Sequence, residues 1–332
     1  MAQVSVVIPL YQTEAYIGAA LASVLAQTFR DFEVIVIDDG SRDRGPDIAR
    51  STGDPRVRVI GQENRGLAGA RNTGIRHATG ELIALLDADD LWAPEKLARH
   101  VAHFADDPAL DVSFSASRLI DGAGNDIGLV QSPMSGDPGI ADFFCRNPVG
   151  NGSAPVLRRA ALDRIAFQDE KLGRRCWFDE SFRQSEDVEC WMRLKAQARC
   201  RFSYIAEPLT LYRVNNGGLS ANIDAQLATW RRFREKVQTY APDIVRDHGA
   251  RAEAYQLRYL ARRAIRSSDR ASGLRLMLQS LWRCPELLTE EPSRTSSTLA
   301  AALAKLCLPG NVFDRLERAL LGLAAGKPGL RL

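Results

Sequence analysis

Residues 82–92 read LIALLDADDLW, an apolar run that leads directly into three carboxylates within four positions. Five consecutive apolar residues are typical of a strand that is buried on both faces of a sheet. Residues two apart in extended backbone point to the same side, so we expect Asp87 and Asp89 to converge and Asp90 to diverge. Two carboxylates this close repel each other unless a cation neutralises them, which makes the stretch a candidate ligand site.

The first 120 residues repeat this alternation of apolar runs and helical patterns. Buried strands separated by helices predict a parallel sheet covered on both faces, and therefore an α/β fold. Ligands of such sheets bind outside the carboxyl ends of the strands, where two acid clusters are expected to meet: Asp38 with Asp39, and the acids after residue 86. The predicted strands are 4–9, 32–41, 57–60 and 82–86, and the predicted helices are 14–29, 43–52 and 66–77.

The C-terminal third differs in composition. Residues 225–332 contain 19 Lys and Arg against 10 Asp and Glu, whereas residues 1–224 contain 25 against 31. Amphipathic, Arg-rich stretches replace the strands here, so we expect an α/β domain at 1–222 and a helical region at 223–332. The excess of basic residues favours a solvated face, an anionic membrane surface, or packing on the first domain or a second copy of the chain; nucleic acid is not the expected partner.

Six cysteines are scattered without a C-x-x-C pair, which indicates free thiols rather than a zinc site or a disulfide framework. The N-terminus enters a strand-like run at once and lacks the pattern of a signal peptide. No run of about 18 apolar residues occurs, so no transmembrane helix is expected. The sequence therefore predicts a cytoplasmic location, with the inner face of the membrane as the place where the basic region would act.

The acid clusters admit two interpretations. Mg²⁺ and Mn²⁺ bind one or two protein carboxylates and complete their shell with water and substrate phosphate, so a D-x-D pair predicts a divalent metal and a phosphorylated ligand. Alternatively, the acids are solvated turn residues that cap the following helix. The Gly-rich stretch 64–74, NRGLAGARNTG, would help to hold a phosphate together with Arg71, unless Arg71 is an ordinary surface residue of a helix.

A third acidic segment, SEDVECW at 185–191, begins a predicted helix. Ser185 followed by acids is typical of an N-cap with carboxylates placed favourably in the helix dipole. Asp187 and Trp191 are four residues apart and share a helix face, which would put a carboxylate beside an aromatic wall. Such a carboxylate can act as a general base, and the ring can pack against a sugar.

These segments in this order resemble glycosyltransferase family 2, the inverting nucleotide-sugar transferases of the GT-A fold. The resemblance extends over about residues 3–222 and rests on the whole ordered set. It implies an enzyme that moves a sugar from a nucleotide-sugar donor, commonly a UDP-sugar, to a hydroxyl of a glycan or lipid-linked acceptor. The matching stretches are VSVVIPLYQTEAYIGAALASVLAQTFRDFEVIVIDDGSRD, NRGLAGARNTGI, LLDADDLW, FDESFRQSEDVECWMRL and LYRVNNGGLS.

For the donor nucleotide, the resemblance implies a loop after the first strand and the acids of DDGS. Pro9, Tyr11 and Glu14 match the loop that lies along base and ribose. Asp39 matches the acid that hydrogen-bonds the base, with Asp38 supporting it.

For the reacting groups, the resemblance implies residues from three different segments. Arg71 matches the donor-phosphate region. Asp87 matches the acid near the ribose, and Asp89 the acid on a Mn²⁺ or Mg²⁺ ion that bridges the diphosphate. Asp187 matches the base that deprotonates the acceptor hydroxyl, with Glu186 shaping the acceptor pocket.

The chain departs from the family pattern at Asn215, where many members have a His that helps to hold the metal or diphosphate. Asn is a poorer metal ligand than His. Arg213 is expected to order over the donor beside it, and Asn151 is a candidate on the acceptor side. His100 and His103 lie on an ordinary helical pattern and are expected at the surface.

Other functions remain open at this point. A nucleotidyltransferase also combines a nucleotide-binding fold with carboxylates, but it needs no base on a later helix. A non-catalytic nucleotide-sugar sensor or scaffold would use the basic helices and would gain nothing from Asp187. The oligomeric state is open as well, and a homo-oligomer is one use of the helical region.

Overall fold

The computed structural model describes residues 2–132, 134, 136–214, 222–265, 269–313 and 315. Strands and helices are interspersed up to β11, and only helices follow within these residues. The elements up to β7 are β1 Val4–Leu10, α1 Ile17–Leu25, β2 Phe32–Asp38, α2 Gly45–Arg50, β3 Val57–Gly61, α3 Gly66–His77, β4 Leu82–Leu85, β5 Leu91–Trp92, α4 Lys96–Asp106, β6 Val112–Ile120 and β7 Asp126–Gln131. The remaining elements are α5 Ile140–Cys145, β8 Pro155–Arg158, α6 Arg159–Arg164, β9 Phe167–Asp169, β10 Arg174–Cys176, α7 Glu186–Ala196, β11 Phe202–Arg213, α8 Ile223–Tyr240, α9 Pro242–Ile265, α10 Ser272–Arg283, α11 Leu287–Glu290 and α12 Pro292–Cys307.

The central sheet has the strand order β3-β2-β1-β4-β8-β6-β11-β5, and β7 pairs with β6. Strands β3, β2, β1 and β4 are parallel, as the apolar runs predicted. The second half of the sheet corrects the expectation of a wholly parallel sheet, because β8 runs antiparallel to both β4 and β6 and β5 runs antiparallel to β11. The carboxyl ends of β1, β2 and β4 nevertheless lie at one edge, with two acid clusters following directly.

Helix α3 packs unusually close to the sheet. Every residue from Ala68 to Ile75 is buried, although the helix is rich in Gly and polar side chains. A Cβ atom added at Gly74 would lie 2.2 Å from a methyl carbon of Val7, so only glycine fits there. Gly74 therefore lets the helix pack directly against β1.

The chain folds into two compact units. One unit takes the residues up to Gly139 and those from Pro148 to the end of β11. The other unit takes Ile140–Asn147 and the helices from α8 onward. Helix α5 therefore belongs with the C-terminal helices, although it lies between β7 and β8 in the chain.

The helical unit has its own apolar clusters, and α9 runs through its centre. Leu257 and Leu260 of α9 pack with Met277 of α10 in one of these clusters. The Phe144 ring of α5 lies 6.0 Å from the Phe233 ring of α8, measured between centroids. Among the described residues, each helix is too short or too polar to cross a membrane.

Candidate active site

The stretch DADD forms a turn at the carboxyl end of β4. The backbone N–H of Asp90 donates to the carbonyl oxygen of Asp87 over 3.0 Å, so the backbone is not extended here as the alternation argument assumed. Asp87 and Asp89 are nevertheless partly exposed, whereas Ala88 and Asp90 are buried. The turn thus presents two of its three carboxylates to solvent at the edge where ligands of α/β sheets bind.

A buried arginine joins three of the predicted segments. The guanidinium of Arg71 in α3 donates to Asp87 over 2.8 Å and to Glu186 at the start of α7 over 2.6 Å. Its side chain is 1% exposed, so the alternative of a surface residue is wrong. Both of its terminal nitrogens are engaged by carboxylates, which also argues against the expected direct contact with a donor phosphate. Arg71 instead supplies part of the counter-charge that the crowded acids require.

Gly152 makes room for this ion pair. A Cβ atom at position 152 would lie 2.3 Å from a terminal nitrogen of Arg71 and 3.1 Å from a carboxylate oxygen of Asp87. Any larger residue would therefore displace the guanidinium from Asp87. Gly152 of the stretch GNGS thus contributes by its small size, which leaves room for the Arg71 guanidinium beside Asp87.

The charged groups of this cluster shift one another's pKa values. Burial raises the pKa of Glu186 to about 7, although the positive charge of Arg71 opposes the shift. Burial also raises the pKa of Asp187 above its ordinary value, again against Arg71, and the charge of Asp87 adds to the effect. Burial lowers the pKa of Arg71, but Asp87 and Glu186 outweigh it and the net shift is upward. Arg71 therefore stays charged, while Glu186 and Asp187 hold protons at higher pH than ordinary carboxyls do.

Asp187 lies in the first turn of α7 and is partly exposed. Ser185 is the N-cap residue of α7 and acids occupy the first turn, as predicted, but its φ of 57° is positive and its side chain makes no capping hydrogen bond. Glu186 points into the protein and is 4% exposed. Since Glu186 is buried and paired with Arg71, it holds the start of α7 in place and does not line an open acceptor pocket. Asp187 is the accessible acid of the pair.

Of the two acids of DDGS one is buried and the other is partly exposed, as is the case for Glu186 and Asp187. Asp39 is 2% exposed and accepts hydrogen bonds from the backbone N–H groups of Arg65 and Gly66, each over 2.8 Å, and from Gln62 over 2.6 Å. Its carboxylate therefore binds the N-terminus of α3, and the expected hydrogen bond to a base does not match this burial. Asp38 is partly exposed and accepts from the backbone N–H of Ser41 over 2.9 Å.

The loop after β1 lies at the same edge of the sheet. Pro9 is buried within β1, whereas Tyr11 is 50% exposed and Glu14 is also exposed. The Glu14 carboxylate accepts from the backbone N–H of Arg44 over 2.8 Å. Tyr11 thus offers an accessible aromatic ring near the ends of β1 and β2, and Glu14 fixes its loop to the segment before α2.

Three expected contact residues are buried, which corrects their assignment to the acceptor site or lid. Trp191 is fully buried and packs edge-to-face on Phe178, so it presents no ring to a sugar. Asn151 donates to Ser117 over 2.8 Å inside the protein. Arg213 is also buried and donates to backbone carbonyl groups. Asn215 lies outside the described residues.

A buried polar cluster behind the site was not anticipated. The ammonium of Lys96 is fully buried and donates to the carbonyl oxygen of Ala154 over 2.8 Å and to Thr210 over 3.1 Å. His100 is fully buried and lies 2.7 Å from the Ser113 hydroxyl, so the prediction of a surface residue is wrong. Burial lowers the pKa of Lys96 and of His100 well below their usual values. The sequence pattern of a helix does not show whether a basic side chain on it, such as that of Lys96, will be buried.

The acids at the edge of β4 fit a hard divalent cation. Asp87 and Asp89 offer oxygen ligands at a partly exposed turn, which is the donor type that Mg²⁺ and Mn²⁺ prefer. Within the described ranges, no group of three or more His, Cys, Asp or Glu side chains is arranged to hold a metal ion. Sites for these ions typically use one or two carboxylates and leave the remaining positions to water and substrate phosphate.

The sequence is similar to those of known glycosyltransferases. Residues 5–166 match the model of glycosyl transferase family 2. The chain is 29% identical over 224 residues to WfaP of Escherichia coli, named a UDP-Glc:alpha-D-GlcNAc-diphosphoundecaprenol beta-1,3-glucosyltransferase, and the match covers 67% of this chain and 81% of WfaP. The matches span between 27% and 57% of the length of several other curated glycosyltransferases.

Two solved structures share the fold. The structure of TarS 1-349 from S. aureus in complex with UDP has a TM-score of 0.56 and 17% identity, and the alignment covers 96% of this chain and 92% of that one. Mannosyltransferase PcManGT from Pyrobaculum calidifontis, in complex with GDP-Man and Mn²⁺, has a TM-score of 0.51 and 23% identity, covering 98% and 81%. The fold is therefore that of the GT-A nucleotide-sugar transferases, followed by helices.

Sheet, acid-bearing edge and family match lead to the same class of protein. Residues 5–166 belong to glycosyl transferase family 2, and the chain is similar to glycosyltransferases beyond that range.

Proposed function

We propose that this protein is an inverting, metal-assisted glycosyltransferase that moves a sugar from a UDP-sugar to a hydroxyl group of a lipid-linked saccharide or another glycan. The observation that carries the proposal is the convergence of Asp87 and α7 on Arg71, which brings the D-x-D turn beside Asp187. Direct displacement at an anomeric carbon needs a base on one side and a stabilised leaving group on the other. Here these groups come from different segments.

The donor nucleotide would lie along the carboxyl ends of β1 and β2. Tyr11 offers its ring for base or ribose, and Asp38 offers a partly exposed carboxylate. Asp39 contributes indirectly, because its buried carboxylate fixes the N-terminus of α3 beside them. The choice of a uridine nucleotide is supported by the name of WfaP, which specifies UDP-Glc.

Asp89 would hold a divalent cation at the turn after β4, and Asp87 would lie beside it near the ribose of the donor. When bound, such an ion offsets the negative charge that develops on the leaving diphosphate. Arg71 keeps Asp87 oriented toward this position through its 2.8 Å hydrogen bond. Arg71 thus neutralises part of the acid cluster, and an ion bound with the donor would add positive charge at the turn.

Asp187 is the proposed general base. It accepts the proton of the acceptor hydroxyl while the acceptor oxygen forms a bond to the anomeric carbon and the bond from that carbon to the diphosphate oxygen breaks. One displacement inverts the configuration at the anomeric carbon. The raised pKa of Asp187 brings its basicity closer to that useful for proton transfer near neutral pH. Glu186 and Arg71 fix the position of the helix turn that carries it.

The acceptor is proposed from the relatives. WfaP and WfgD of Escherichia coli are both named as acting on alpha-D-GlcNAc-diphosphoundecaprenol, a sugar on a lipid diphosphate. An acceptor of this class is held at a bilayer, so the basic helical unit would work beside an anionic lipid surface at the cytoplasmic side. Sugar, linkage and acceptor class can be tested separately from the chemistry at Asp187.

The test is a donor screen with purified protein. Hydrolysis and binding of UDP-, GDP- and dTDP-sugars are measured with Mn²⁺, with Mg²⁺ and with a chelator. We expect a UDP-sugar to be preferred and both signals to fall on chelation. Asp89→Asn should weaken the metal dependence, whereas Asp126→Asn, which alters an exposed acid on β7, should not. Equal turnover with and without chelator would overturn the role proposed for Asp89.

A further inference from the structure

The last acid of DADD lies inside the protein and makes two hydrogen bonds to other segments. Asp90 is 1% exposed. One of its carboxylate oxygens accepts from the Ser153 hydroxyl over 2.6 Å, and the other accepts from the backbone N–H of Arg213 over 2.8 Å. The turn after β4 is thereby tied to the loop before β8 and to the end of β11.

The same two partners also bind the residues on either side of the turn. The Ser153 hydroxyl accepts a hydrogen bond from the backbone N–H of Asp87 over 3.0 Å. The guanidinium of Arg213 donates to the carbonyl oxygen of Asp89 over 2.7 Å. Each of the two exposed acids therefore has its backbone fixed by a group that also contacts Asp90.

Ser153 is itself held on both sides. Its backbone N–H donates to the side-chain oxygen of Asn151 over 3.1 Å, and its carbonyl oxygen accepts from the indole N–H of Trp92 over 3.1 Å. Its side chain is fully buried. The hydroxyl can therefore neither move away nor exchange its partners for water without disturbing the core.

We propose that Ser153 and Asp90 are positioning residues that hold the turn 87–90 in the conformation in which Asp87 and Asp89 would receive a nucleotide diphosphate together with its divalent cation. The proposal rests on the proposed function, because that function supplies the ligand. It gives Asp90 and Ser153 a role that requires no contact with donor or acceptor.

The physical reason is the cost of keeping two acids together. Without the cation, Asp87 and Asp89 repel each other, and a loose turn would relieve the repulsion by rotating one of them away. A turn that is fixed beforehand does not have to be ordered when the ligand binds. Groups that orient metal ligands commonly affect metal affinity by about 10- to 100-fold when they are changed. We therefore expect a binding effect of at least about tenfold.

The experiment compares Ser153→Ala and Asp90→Asn with the wild type and with Ser113→Ala. Ser113 is an equally buried serine in β6, but its hydroxyl faces His100 and His103 instead of the turn. Calorimetry measures UDP binding at saturating Mn²⁺, and hydrogen exchange of peptides containing residues 87–90 is followed in the metal-free full-length protein. Circular dichroism confirms that each variant is folded.

Ser153→Ala is expected to weaken UDP binding about tenfold or more and to speed exchange at residues 87–90. Asp90→Asn keeps an acceptor for Arg213 and should have a smaller effect of the same kind, which provides a second readout if Ser153→Ala does not fold. Ser113→Ala should leave both quantities unchanged. Wild-type affinity and exchange in both Ser153→Ala and Asp90→Asn would overturn the proposal. A wild type that binds no UDP would contradict the proposed function instead, and exchange would still decide whether Ser153 holds the turn.

Discussion

Replacing Arg71 with Met removes the group that hydrogen-bonds both Asp87 and Glu186. Removing one partner of a buried ion pair typically costs about 3–5 kcal/mol, because the remaining charge has no compensation. The Asp87 side chain is 24% exposed and can be solvated in part, so we expect the lower end, about 3 kcal/mol at about pH 8. Urea unfolding measures this loss as a shift of the midpoint at unchanged slope.

The stability lost in Arg71→Met should be larger at high pH than at low pH. Burial already raises the pKa of Glu186 to about 7, and loss of Arg71 would raise it further. A group whose folded-state pKa is raised stabilises the folded protein at low pH and loses that contribution as the pH rises. The cost of Arg71→Met should therefore shrink by about 1–2 kcal/mol between about pH 8 and about pH 5.5, since each pKa unit corresponds to about 1.4 kcal/mol.

Two further variants make the test specific. Arg71→Met combined with Glu186→Gln should be more stable than the sum of the single effects, with a coupling of about 0.5–3 kcal/mol. Arg193→Met is the matched control, because Arg193 pairs with Glu189 over 2.7 Å in an equally buried position on α7. It should destabilise the protein by a similar amount while leaving the contacts of Arg71 with Asp87 and Glu186 in place. A loss below about 1 kcal/mol for Arg71→Met at the higher pH, or additive double-variant energies, would refute the assignment of Arg71 as the counter-charge.

Three other outcomes are expected. The acid limb of kcat/KM should lie above the ordinary range of an Asp carboxyl, because burial raises the pKa of Asp187. The charge of Arg71 opposes this rise, so Arg71→Lys should move the acid limb to higher pH by weakening the opposing charge. Asp39→Ala should cost about 2 kcal/mol in urea unfolding through lost capping of α3 and should raise the donor KM. Trp191→Ala should cost about 3–5 kcal/mol, yet acceptor KM should stay unchanged in the folded enzyme, since the ring is buried.

The sequence predicted the features that depend on local pattern. Helix α3 was expected at 66–77 and is found there, and the acids were expected after β2 and β4. Apolar runs identify strands because burial on both faces leaves no room for alternation. Parallel strands end at one edge of the sheet, so Asp38, at the end of β2, and Asp87, shortly after β4, lie at the same edge.

The sequence could not separate residues that face a ligand from residues that support them. Asp39 and Glu186 stand next to Asp38 and Asp187, and each neighbour pair divides into one buried and one accessible carboxylate. This division depends on which groups of distant segments lie opposite, such as the N-terminus of α3 or the guanidinium of Arg71. Such contacts across the fold leave no periodic signal in the chain.

The antiparallel half of the sheet was missed for a similar reason. Strand β8 has only four residues and follows a stretch rich in Gly, Asp and Pro, a composition that is typical of loops. Its position between β4 and β6 is what places Ser153 beside Asp87. A one-dimensional pattern contains no information on which strand will insert between two others.

In the proposed mechanism Asp187 acts as the base while the nucleotide is bound by other segments. Asp187→Asn keeps the shape of the side chain and removes its basicity. We expect it to abolish sugar transfer, with a fall in kcat of at least about 100-fold, while calorimetry gives the wild-type affinity for UDP in the presence of Mn²⁺. Turnover at the wild-type rate in this variant would contradict the account.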